Sequence, residues 1–128
     1  MIRFARLFKS FIYAFRGLFK TFREEQNLRI QAAVAAIIVL VGLYFKISSL
    51  DWSILIIAIT LVVLMEIANS AVERVTDVLK PRIDGYVKEI KDIMAAAVML
   101  SSLAAVVIGI IILGPYFVQL IIKTCYNN

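Results

Sequence analysis

Three apolar runs, Ile30 to Phe45, Trp52 to Met65 and Ile93 to Leu113, alternate with segments whose charged residues return at helical intervals. The third run is 21 residues without a charge, enough to cross a bilayer as a helix. The first reaches that length when extended to Ile47, with the Lys46 ammonium turned to the interface. The second holds 14 residues and covers only about 21 Å of the roughly 30 Å of hydrocarbon. To span, it takes in Ile67, Ala68, Ala71 and Val72, and with them Glu66 and Asn69. Spans over 28–47, 52–79 and 85–113, with extensions beyond the membrane, are the expected elements.

Ahead of them, Phe4, Phe8, Phe11, Phe15, Phe19 and Phe22 recur at three- and four-residue intervals, one face of an α-helix. Arg6, Lys9, Tyr13, Arg16, Lys20 and Arg23 follow the same rhythm on the other face. An aromatic face backed by a basic one predicts an amphipathic helix over 1–23 lying in the surface of an anionic membrane.

The breaks are equally local. Ser48 followed three residues later by Asp51 reads as a cap opening the second long helix, with Trp52 at the interface. That helix runs without Gly or Pro to Leu79 and stops at Pro81. Asp84 is the candidate N-cap of the next, which Gly114-Pro115 is expected to close. Ala97, Ser101, Ala105 and Gly109, at four-residue intervals, form a small-residue stripe of the kind that lets helices approach closely in lipid.

Composition agrees with the pattern. Of 128 residues, 62% are hydrophobic, well above soluble usage, so the chain reads as one all-α integral membrane domain. Seven of its 14 basic residues precede Gln31 and five lie between Glu66 and Asp92, which places the N-terminus and that connection on the cytoplasmic face and the C-terminus outside. No signal peptide is expected, because Arg and Lys interrupt the N-terminal aromatic residues. The single Cys125 permits no internal disulfide. With no His, one remote Cys and no Gly-x-x-x-x-Gly-Lys motif, His/Cys zinc sites, Ser-His-Asp hydrolysis and a P-loop are excluded. No nucleic-acid partner is expected.

What remains is carboxylates, amides and cations at one level of the membrane. Glu66, Asn69, Glu73 and Asp77 share a helical stripe, Glu25 precedes the first span, and Lys91-Asp92 precedes the third. An ionisable residue at the depth of Glu66 calls for a function or a partner. Magnesium takes one or two carboxylates together with substrate phosphates, and Glu25 and Glu73 supply such a pair. Basic residues of the surface helix and Lys91 suit phosphate oxygens, and Glu66 suits removal of a proton from a lipid hydroxyl. Phosphoryl transfer accommodates these roles, although spacing alone does not single it out. The competing reading is a small oligomeric cation channel or transporter with Glu66 and Asn69 lining a polar path. Against it, the carboxylates crowd one rim and leave the other half of each span apolar.

The blocks "RLFKSFIYAFRGL" (6–18), "EEQNLRI" (24–30), "EIANSAVERVTD" (66–77) and "KDIMAAAV" (91–98) resemble the small prokaryotic membrane kinases of the diacylglycerol and undecaprenol kinase family, from the surface helix to about Pro115. The resemblance implies an ATP-dependent, magnesium-requiring lipid kinase of the bacterial inner membrane. It implies three transmembrane helices and a surface helix, assembled as a homotrimeric bundle with sites between protomers. It makes Glu66 the general base, with Asn69 beside it, and gives magnesium to Glu25 and Glu73. It gives ATP to Arg6, Tyr13, Lys91 and Asp92, close packing of the surface helix to Gly17, and support of the site to Asp77. Two departures from the family pattern stand out. Arg82, Ile83 and Asp84 stand where Glu-Tyr-His is frequent, so nucleotide contacts there are not carried over, and Gln31 stands where many undecaprenol-type members have His. The "GPYF" (114–117) and "RGL" (16–18) segments resemble the undecaprenol type, so undecaprenol is favoured over diacylglycerol.

Overall fold

The computed structural model describes residues 4–79 and 84–126, all of them helical apart from Glu25 and the turn at 46–48. The expected stop at Pro81 and the Arg82-Ile83 departure lie outside the described residues, as does the side chain of the proposed cap Asp84. Four helices follow in order: α1 (Phe4–Glu24), α2 (Gln26–Phe45), α3 (Ser49–Leu79) and α4 (Asp84–Tyr126). Of these, α2, α3 and α4 are long and apolar enough to cross a membrane. Among the described residues there is no strand.

Helix α1 is exposed along its whole length except at Thr21. It ends where Glu25 turns extended, at φ −93° and ψ 117°. Across that break Arg29 Nη1 donates to the Arg23 carbonyl at 2.8 Å, satisfying an acceptor that the end of α1 leaves open. Helix α2 stops two residues before the expected Ile47. There Lys46 takes the left-handed conformation (φ 52°), and the Lys46 and Ile47 N–H groups donate back to the Leu43 and Gly42 carbonyls, the double bond of a Schellman ending.

The cap of α3 forms at Ser48 as expected, and the helix begins at Ser49, three residues before Trp52. Asp51 N–H donates to Ser48 Oγ at 3.1 Å, and the Asp51 carboxylate accepts from the Ser48 hydroxyl at 2.8 Å and from its N–H at 3.4 Å, reciprocal bonds that satisfy both donors.

Helix α4 corrects the expectation at its far end. It does not close at Gly114-Pro115 but runs on to Tyr126 with Pro115 inside it. Proline removes one backbone donor and crowds the carbonyl four residues back, yet the turn beyond it is held by tertiary contacts. Tyr116 Oη donates to Asp51 Oδ2 at 3.1 Å, and the Phe45 ring meets those of Tyr116 and Phe117 at 5.7 and 4.9 Å.

These aromatic contacts crown the protomer's buried core, Ile47, Leu55, Ile112 and Leu113, with Trp52 and Val41 against it. Gly42 allows close packing there, because a Cβ on it would meet Trp52 Cη2 at 2.9 Å and Ile47 Cδ1 at 3.2 Å and force those side chains to shift. The three long helices are thus fastened at the 46–48 turn, with α3 running antiparallel between α2 and α4. Toward the other end a groove of about 370 Å³ lies between α2 and α4, with Ile59, Val62 and Val63 of α3 contributing to its wall.

Candidate functional site

The site lies at the end of the groove remote from the turn, and α3 builds most of it. At about 1.5 Å per residue, Glu66 sits roughly 26 Å along α3 from Ser49. It is only 2% exposed. Its Oε2 accepts a hydrogen bond from Gln31 Nε2 of α2 at 3.1 Å, and Gln31 is itself part of the groove wall. The bond ties a residue of α3 to one in the first turns of α2, 35 positions away.

One turn further, Asn69 Nδ2 donates to Glu73 Oε1 at 3.1 Å. An ionised carboxylate only accepts, so each amide turns its N–H toward its acid and its carbonyl away. The result is two matching orphans: Gln31 Oε1 and Asn69 Oδ1 are buried without a partner among the described residues. Ser70 Oγ is a third, in a residue 2% exposed.

Where α3 emerges beyond the apolar run, Lys91 Nζ of α4 donates to Asp77 Oδ1. Across on the other flank, Arg74 Nη2 pairs with Glu24 Oε2 at 3.0 Å and Glu25 Oε1 at 3.6 Å. Glu25 is positioned for this by its place between α1 and α2: it is the N-cap of α2 by backbone geometry, but its side chain makes no capping bond, which leaves the carboxylate free to turn to α3.

The structure therefore brings Glu66, Asn69, Glu73 and Asp77 together on one helix with Lys91 beside them. It engages Glu25 with Arg74. Asp92 is exposed and makes no ion pair among the described residues. Tyr13 and Arg6 are exposed on α1, where the Arg16 guanidinium lies over the Tyr13 ring at 5.9 Å. The close packing expected at Gly17 is not made within the protomer. A Cβ there would meet nothing within 4 Å, and Gly17 instead borders an open groove shared with Ile67, Ala71 and Arg74 of α3.

Sequence reading passed over Arg74 and Ser70, and noted Gln31 only as a departure. The signal for Arg74 was available, a cation one position after Glu73, but its partners come from a break 50 residues upstream.

Oxygen donors dominate this region: three carboxylates on α3 (Glu66, Glu73 and Asp77), the orphaned Asn69 carbonyl, and Glu25 behind Arg74. That donor set suits a hard cation such as magnesium. Among the described residues no group of three or more His, Cys, Asp or Glu side chains is assembled to hold a metal unaided, so other oxygens must complete its shell. A buried carboxylate with one oxygen free, at the end of an apolar groove, can take a proton from a hydroxyl presented by an apolar molecule.

Comparison with known proteins is consistent with that chemistry. The family model described as prokaryotic diacylglycerol kinase matches residues 12–113. The chain is 32% identical over 110 residues to the undecaprenol kinase of Bacillus subtilis, a match covering 86% of this chain and 89% of that one. It is 29% identical over 120 residues to a diacylglycerol kinase of Helicobacter pylori, covering 94% and 91%. To the diacylglycerol kinase of Escherichia coli K12 it is 27% identical over 114 residues, covering 89% and 93%. With the family model spanning most of the chain and the relatives named for one lipid kinase activity or the other, the chain belongs to the prokaryotic diacylglycerol kinase family and is a lipid kinase.

Proposed function

We propose that the chain transfers the γ-phosphoryl group of ATP to the hydroxyl of a membrane lipid alcohol, undecaprenol in preference to diacylglycerol, with Glu66 as general base. The observation that carries this reading is the placement of Glu66: 2% exposed, held by a single amide, at the end of an apolar groove. About 26 Å from the start of α3 puts it near the rim of a hydrocarbon layer roughly 30 Å thick, the depth at which a lipid alcohol presents its hydroxyl.

In this mechanism Glu66 Oε1, which makes no hydrogen bond among the described residues, takes the hydroxyl proton. The lipid oxygen then forms its bond to the γ-phosphorus as the bond to the bridging oxygen of ADP breaks, and ADP leaves with that electron pair. A magnesium ion held here would supply neutralisation of the charge that develops on the phosphates. Glu73, Glu25 and the free carbonyl of Asn69 are the oxygens that hold it together with the nucleotide. Lys91, kept in place by Asp77, faces phosphate oxygens, and Asp92, Arg6 and Tyr13 complete the nucleotide site. Helix α1 lies in the membrane surface, its phenylalanines in the headgroup layer. Its basic residues and those of the 66–92 segment orient the site to the cytoplasm of a bacterial inner membrane.

Two features support undecaprenol. The groove beside Gln31 is one apolar cleft walled by α2, α3 and α4 and suits one polyprenyl chain better than two acyl chains. Among the relatives described above, the one named undecaprenol kinase has the highest identity. A homotrimer fits the small-residue stripe of α4; a monomer by sedimentation in detergent argues against it.

Purified protein with magnesium and labelled ATP, offered undecaprenol and diacylglycerol side by side, tests the whole reading. Label is expected in both lipids with undecaprenol ahead, and label in neither refutes it. Glu66→Gln is expected to lose nearly all turnover while binding ATP as before; a wild-type rate in that variant removes the base assignment.

A further inference from the structure

The groove end holds a polar group that the mechanism above does not use. Gln31 donates through Nε2 to Glu66, and its Oε1 is buried with no partner among the described residues. A buried, unpaired carbonyl on a residue in contact with the base calls for an explanation, because leaving such an acceptor unmet costs roughly 1–3 kcal/mol. The orphan cannot serve the lipid alcohol during proton removal, since a hydroxyl carries one proton and that proton goes to Glu66.

It can serve Glu66 itself. The ionised carboxylate needs a donor, and Nε2 is that donor. Once the lipid proton has arrived, Glu66 is a carboxylic acid whose O–H needs an acceptor. A half-turn of the Glu66 carboxyl brings its protonated oxygen to the position that Oε2 held against Gln31, and a half-turn of the Gln31 amide places Oε1 there in place of Nε2 to accept it. A primary amide is suited to this, since it carries donor and acceptor on one planar group.

We propose that Gln31 is a positioning residue for Glu66 that satisfies both protonation states of the base: its N–H fixes one carboxylate oxygen, leaving the other to face the lipid hydroxyl, and its carbonyl receives the carboxylic acid formed when the proton is transferred. The proposal rests on Glu66 being the base. It assigns Gln31 no contact with the phosphates and no dependence on which lipid is bound. One proton leaves the lipid oxygen, resides on Glu66 against Gln31 Oε1, and passes to water before the next turnover, when the carboxylate and the amide turn back to the resting contact.

The test uses Gln31→Leu and Gln31→Met, which are of similar size and remove donor and acceptor, and Gln31→His, whose neutral ring keeps one of each. Lipid phosphorylation by the full-length protein in detergent–lipid micelles is measured together with the KM for ATP. Both apolar variants are expected to lower kcat about 10- to 100-fold, the worth of a hydrogen bond to a charged group, with the KM for ATP unchanged. Gln31→His is expected to retain kcat within a few-fold.

The deciding measurement is the double variant Glu66→Gln/Gln31→Leu, followed by single-turnover transfer of label. If Gln31 acts through Glu66, adding Gln31→Leu to Glu66→Gln has no further effect. A further loss equal to that in the wild-type background, a raised KM for ATP, or an apolar variant at wild-type kcat overturns the inference while the lipid kinase mechanism stands. Full turnover by Glu66→Gln alone overturns both.

Discussion

Arg74 stands between Glu25 and the role proposed for it. Its guanidinium is 3.6 Å from Glu25 Oε1 and 3.0 Å from Glu24 Oε2, so magnesium must draw Glu25 away from a cation already in place. Replacing Arg74 with Ala removes that competitor and should strengthen magnesium binding. The size of the effect follows from exposure. Arg74, Glu24 and Glu25 side chains are 42%, 50% and 28% exposed, which puts the Glu25 pair with partly exposed ion pairs worth about 0.2–1 kcal/mol. At about 1.4 kcal/mol per factor of ten, half-saturating magnesium should fall roughly 1.4- to 5-fold.

The assay is lipid phosphorylation against magnesium at saturating ATP, for wild type, Arg74→Ala and Arg74→Lys. Arg74→Lys keeps the charge and should stay near wild type. Raising ionic strength should narrow the gap, because screening weakens the competing pair in the wild type. An Arg74→Ala curve that coincides with wild type, or moves to higher magnesium, refutes the competition. A rise in the KM for ATP without a shift in magnesium would instead make Arg74 a phosphate contact.

Other expectations follow from single positions. Gly42→Ala gains about 1 kcal/mol in helix propensity but forces a Cβ to 2.9 Å from the Trp52 ring; overpacking of about 1–3 kcal/mol should leave thermal unfolding in detergent unchanged to modestly lower, and Gly42→Val should fall further. Ser48→Ala removes the hydroxyl that accepts the Asp51 N–H and should cost about 0.5–2 kcal/mol, read as a lower Tm with kcat retained, since the cap lies at the end remote from Glu66. Lys91→Met should raise the KM for ATP while leaving the KM for the lipid alcohol near wild type; a selective loss of lipid affinity would contradict the phosphate assignment.

Much of the site was legible because it is written along one helix. Glu66, Asn69, Glu73 and Asp77 fall on a common stripe at any helical pitch, and the short apolar run before them set their depth. Contacts between helices were not legible. Gln31 as the partner of Glu66 and Arg74 as the partner of Glu25 join residues 35 and 49 positions apart, and periodicity carries no information about which faces meet.

The ends of the helices divide the same way. Local chemistry alone determined the four helices, the Ser48–Asp51 cap and the break near Glu25, because each depends on residues within a few positions of one another. The continuation of α4 through Pro115 was decided by tertiary structure: the Tyr116–Asp51 bond and the Phe45 ring hold the turn that proline weakens. Packing likewise decided the tight fit at Gly42 and the openness of Gly17 and Gly109, since a missing Cβ has meaning only in relation to what lies opposite it. The sequence thus placed Glu66, Glu73 and Asp77 on one helix, and only the packing of the other helices against α3 decided that Glu66 meets Gln31, Asp77 meets Lys91 and Glu25 meets Arg74.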